Sequence, residues 1–101
     1  MERGVSTLVT ERDVFAQSAS FSADSLSVRL DDGRSLSVPL AWYPRLLDGT
    51  EAEWENCQLI GEGEGVHWPD LDEDISVEGL LAGRRSAESA GALAKWRQSR
   101  Q

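Results

Sequence analysis

Cys57 and His67 are the only cysteine and histidine in the chain, and a nucleophile–base pair would have to be built from them. Both fall on segments that read as neighbouring strands, but their spacing is not diagnostic. A histidine beside Trp68 reads as hydrogen-bonded structure, and one Cys with one His falls short of a zinc site. Asp70, Asp72 and Asp74 occupy the first three ligand positions of an EF-hand calcium loop. The pattern then fails, because Ile75 stands where glycine is required and Leu81 where the terminal glutamate is required. These carboxylates read instead as a solvated acidic surface that complements the dipole of a following helix. Gly61, Gly63 and Gly65 alternate with Glu62 and Glu64, a spacing foreign to phosphate-binding loops and a charge that repels phosphate. No catalytic residue, metal ligand or cofactor site is expected, and catalysis is the weaker class of function.

The composition bounds the rest. A chain of 101 residues holds one core, and 40% hydrophobic residues with four Trp suffice to fill it. The formal net charge is −8, distributed unevenly. Residues 1–83 carry 5 basic and 17 acidic side chains, whereas residues 84–101 carry 5 basic and 1 acidic, so an acidic body precedes a basic tail. Such a body repels nucleic acid and anionic membranes. A lone cysteine fits a reducing compartment, and residues 1–13 develop no apolar signal-peptide core. A cytoplasmic protein without a membrane span is expected.

The elements follow from patterning. Residues 1–15 read as a partly disordered leader, with a helical turn over residues 10–16 capped by Thr10. Residues 17–21 alternate as a first strand. Leu26, Val28 and Leu30 then alternate with polar residues, as do Leu36, Val38 and Leu40. A two-residue turn at Asp32-Gly33 would put these two sets on opposite faces. A three-residue loop with Gly33 in the left-handed region pairs Leu30 with Arg34, Val28 with Leu36 and Leu26 with Val38, giving one apolar face. Pro44 opens a short helix through Leu47. Thr50 and Glu53 form a capping box for a second helix to about Asn56, anchored by Trp54. Gln58, Leu59 and Ile60 form a short strand, and Val66, His67 and Trp68 another that Pro69 ends. Residues 70–74 are polar and extended or turning. Ser76 or Asp74 caps a helix that Gly83 closes. Residues 84–101 form a basic tail, helical or disordered. The fold class is α+β: a small single domain over residues 16–83 with an antiparallel β-meander, short helices and a C-terminal helix packed on the sheet.

Three stretches, LSVRLDDGRSLSVPL (residues 26–40), VPLAWYPRLL (38–47) and GEGVHWPDLDEDISVEGLLAG (63–83), carry a resemblance. The chain resembles the bacterial domain of unknown function 2442 family from Ala16 to Gly83. That resemblance implies a small α+β domain without established activity. It also implies a neighbouring gene for a small protein of the domain of unknown function 4160 family, in a toxin–antitoxin-like pair of which this chain is the antitoxin-like member. The expected function is a non-enzymatic protein-binding module whose acidic surface masks a basic partner. The residues expected to meet the partner are Trp42, Tyr43, Glu62, Glu64, His67, Trp68, Asp70, Asp72 and Glu73, with the acids steering and exposed aromatics anchoring. The tail is expected to fold onto that partner or onto a second copy of the acidic body, as a homodimer. The alternative is a nucleic-acid-linked regulator acting through Arg84, Arg85, Lys95, Arg97 and Arg100.

Overall fold

A computed structural model of the protein describes residues 14–100. Two antiparallel three-stranded meanders, ordered β1-β2-β3 and β4-β5-β6, enclose one core with short helices between and after them. The first comprises β1 (Ala16–Phe21), β2 (Ser25–Leu30) and β3 (Ser35–Pro39). Its second hairpin has the three-residue loop that face parity predicts. The amide of Leu30 donates to Arg34 at 2.8 Å, Gly33 adopts φ +95°, and Val28 faces Leu36 while Leu26 faces Val38. Asp32 fixes the loop by accepting from the backbone N–H of Arg34 at 3.0 Å and from its guanidinium at 2.7 Å. Leu26, Val28 and Leu30 thereby share one buried face. Each such side chain contributes about 1.5–3 kcal/mol by leaving water.

A 3-10 turn (Leu40–Trp42) leads to α1 (Pro44–Leu47), which Pro44 opens. Helix α2 (Glu51–Glu55) carries the predicted capping box. Glu53 N donates to Thr50 Oγ1 at 3.2 Å, and Thr50 N to Glu53 Oε1 at 2.9 Å. The second sheet comprises β4 (Gln58–Ile60), β5 (Gly65–Trp68) and β6 (Glu73–Ser76). The sequence predicts only the first two of these. Residues 73–76 form a third strand because Ile75, opposite Val66, supplies one buried side chain among polar neighbours. Ser76, rather than Asp74, caps α3 (Val77–Leu81) by accepting from Gly79 N at 2.9 Å. The tail is helical, as α4 (Ala90–Ser99), and begins at a Ser89 cap.

The helical turn expected over residues 10–16 falls outside the described residues up to Asp13, and Ala16 opens β1 instead of completing it. Phe15 is held extended against Asp31, whose amide donates to the Phe15 carbonyl at 2.9 Å. The two sheets meet where Ala16 N donates to Gly63 O at 2.7 Å. Gly63 is required at this seam. It adopts φ +115°, and a Cβ there would lie 2.5 Å from the Ala16 carbonyl oxygen. No helix among the described residues is long and apolar enough to cross a membrane.

Candidate interaction surface

The acids expected to form one rim lie at the two ends of β5. Glu62 and Glu64 sit on the β4–β5 turn, while Asp70 and Asp72 sit on the β5–β6 turn, about 14 Å along the strand at the rise of an extended chain. The rim is therefore not continuous. Several of its acids are also engaged within the chain. Asp70 accepts from Asn56 Nδ2 at 2.9 Å. Asp72 adopts a left-handed φ of 52°, and its carbonyl accepts from Arg45 at 2.8 Å. Asp74 is bonded to the imidazole of His67, directly opposite on β5. Glu73 is half-buried, and burial pushes its carboxyl up to about 7, against the pull of Arg45 and with the repulsion of Glu88, Asp74 and Asp72.

The aromatics expected as anchors are largely spent on the core. Trp68 is fully buried and Tyr43 is 5% exposed, so neither presents a ring to a partner. The Tyr43 hydroxyl donates to the carbonyl of Arg84, and burial, with the Glu73 charge nearby, raises its pKa. Trp42 is half-buried and faces the guanidinium of Arg85 at 4.8 Å. Cys57 and His67 make no hydrogen bond to each other among the described residues. Burial raises the Cys57 thiol, which opposes thiolate formation. Nor does any group of three or more Asp, Glu, His or Cys gather as a metal site among the described residues.

The basic tail lies on its own body. Arg97 pairs with Asp48, and Arg100 with Glu53 at 3.1 Å and the Asp70 carbonyl at 3.2 Å. Trp96 is buried, with the guanidinium groups of Arg45 and Arg100 at 5.1 and 4.7 Å from its ring. Arg45 is in turn clamped by Glu88. Two of the five cations of the nucleic-acid alternative are thus neutralised in place.

A groove of about 550 Å³ opens between β1 and α2. Residues 19–23 form one wall, and Glu51, Trp54, Glu55 and Cys57 the other. Phe21 and Trp54 stack within it at 4.7 Å and 6°. The lining has two carboxylates and no cation, and neither Glu51 nor Glu55 has an ion pair among the described residues. Just beyond Cys57, the edge strand β4 exposes Leu59 by 45% and Ile60 by 37%. Reading the sequence for charge runs and Trp clusters misses this site. The one signal is the set of small residues around Phe21 (Ser18, Ala19, Ser20, Ser22 and Ala23), too small to cover the edge they form.

A family model described as "Protein of unknown function (DUF2442)" matches residues 16–86. The chain belongs to this family. Its domain takes in both sheets, α3 and the whole groove, and ends before α4. Two solved structures are similar. The crystal structure of a protein of unknown function from Rhodospirillum rubrum is 26% identical with a TM-score of 0.65, over 75% of this chain and 94% of that one. The solution structure of an uncharacterised protein from Chromobacterium violaceum is 25% identical with a TM-score of 0.63, over 80% of this chain and 74% of that one. No curated protein matches the chain.

Proposed function

We propose that this member of the DUF2442 family is a non-enzymatic protein-binding module that masks a basic segment of a partner, seated in the groove between β1 and α2. The supporting observation is the pairing of an apolar floor, Phe21 on Trp54, with two carboxylates, Glu51 and Glu55, that no cation in the lining offsets. An aromatic surface edged by like charges takes apolar and cationic side chains together, and the charge speeds their encounter. The small partner that the family resemblance implies, as the other member of a toxin–antitoxin-like pair, fills this seat through a basic segment. Trp42 beside Arg85 and the Glu62–Glu64 turn are not needed for this seat.

The test compares the tagged full-length chain with its Glu51→Gln/Glu55→Gln variant in nuclease-treated native extract, over a salt titration. A basic protein held by the wild type, released by salt and held several-fold more weakly by the variant supports the reading. Equal capture by both chains, or capture of nucleic acid alone, overturns it.

A further inference from the structure

Five consecutive residues of β1 and its turn, 19–23, line the groove. Side chains of successive strand residues point to opposite faces. A surface formed by all of them in turn is therefore the backbone edge of the strand, not one of its faces. β1 pairs only with β2, so this edge has no strand partner among the described residues.

The register tells which polar groups the edge offers. Ser22 N donates to Ser25 O at 2.9 Å across the hairpin, and Ser20 faces Ser27 two residues further along. In an antiparallel pair the hydrogen-bonded positions alternate. Ser18, Ser20 and Ser22 therefore turn their N–H and C=O groups to β2, and Ala19 and Phe21 turn theirs outward into the groove. A donor–acceptor pair repeats every second residue along this edge, the arrangement that an added strand satisfies.

Resting on the reading of the groove as a basic-segment seat, we infer that the partner segment binds as an added β-strand on β1. It hydrogen-bonds to the backbone of Ala19 and Phe21 while its basic side chains reach Glu51 and Glu55. An extended segment with alternating basic and apolar residues is the kind of ligand that fits. One set of side chains lies on the Phe21–Trp54 floor, and the other points to the carboxylates of α2. The small side chains of Ala19, Ser20, Ser22 and Ala23 leave the edge approachable where larger residues would shield it.

The test is the Ala19→Pro substitution in the full chain. It deletes one outward N–H without touching the ladder to β2, and proline is tolerated on such an edge. The probe is a ten-residue peptide of alternating lysine and valine, alongside the same peptide N-methylated at alternate amides. Calorimetric binding to the wild type is expected to fall at least tenfold with Ala19→Pro or with the methylated peptide, at unchanged circular dichroism. Glu51→Gln/Glu55→Gln is expected to reduce its salt dependence.

Peptide binding that responds to the Glu variant but not to Ala19→Pro or methylation overturns strand addition and leaves the groove reading standing. Absence of peptide binding to the wild type overturns strand addition as well, while the extract experiment decides the groove reading separately. A wild-type dimer that Ala19→Pro dissociates gives the edge to a second copy and overturns the inference. If Ala19→Pro lowers the fold's stability, the methylated peptide on the wild type decides alone.

Discussion

The indole N–H of Trp68 donates to the backbone carbonyl of Trp54 across 3.0 Å, joining the C-terminal end of β5 to helix α2. Trp54 passes the connection on, donating its own indole N–H to Leu46 O at 2.7 Å and stacking on Phe21. Phe21 meets Trp68 edge-on at 5.9 Å. Three rings thus lock α1, α2, β1 and β5 around the floor of the groove. A floor held this way loses little freedom on binding.

Trp68→Phe keeps an aromatic ring but removes the donor to the Trp54 carbonyl and leaves a cavity where the rest of the buried indole stood. The lost hydrogen bond and the cavity together are expected to cost at least about 1–3 kcal/mol. Urea unfolding followed by circular dichroism measures it, and an unchanged midpoint would show that water replaces the indole.

Glu73 makes stability fall as pH rises. A free glutamate titrates near 4.5, whereas in the fold burial and three neighbouring acids hold this carboxyl up to about 7. Between those values the folded chain retains a proton that the unfolded chain has released, so raising the pH through this window favours unfolding. Above pH 7, Glu73→Gln is expected to be more stable than the wild type by on the order of 1–3 kcal/mol, and to match it near pH 4. Denaturant midpoints for both chains at pH 4, 6 and 8 check this, and a gap that does not widen with pH would refute it.

The tail helix is expected to detach without unfolding the domain. Its apolar hold is Trp96 with the partly buried Leu93, and the rest is Arg97–Asp48, Arg100–Glu53 and the Arg45–Glu88 clamp, of which salt weakens the exposed Arg97–Asp48 pair most. In Trp96→Ala, the amides of residues 90–99 should exchange at near-unfolded rates while those of β2 and β5 stay protected. Hydrogen exchange read by mass spectrometry distinguishes this from a global loss of protection.

Thr50→Ala removes the side-chain half of the capping box. The expected loss is about 1 kcal/mol, or roughly 4–8 °C in a thermal melt of a domain this size. Thr50→Ser should restore most of it.

Local chemistry was legible in the sequence. Face parity specified the Gly33 loop, the Thr50–Glu53 spacing specified a capping box, and Pro44 and Gly83 marked where helices begin and end. Contacts between distant segments were not. Strand β6 hides because only Ile75 of its four residues is buried. The acidic run divides because β5 lies between its two halves. Arg97 and Arg100 read as free cations because Asp48 and Glu53 come beside them only in three dimensions. The groove escaped because alternation reports the faces of a strand and says nothing about its edges.

Each sheet is a meander of consecutive strands, so most pairings join segments close in the chain, and such topologies assemble quickly. The Ala16–Gly63 seam is different, since it joins one finished meander to the other. Contacts made after the rate-limiting step act mainly on the rate of unfolding. Gly63→Ala is therefore expected to shorten the lifetime of the folded chain far more than it slows folding, a contrast that stopped-flow chevrons resolve. The persistence of the native state would then depend on one residue that has no side chain.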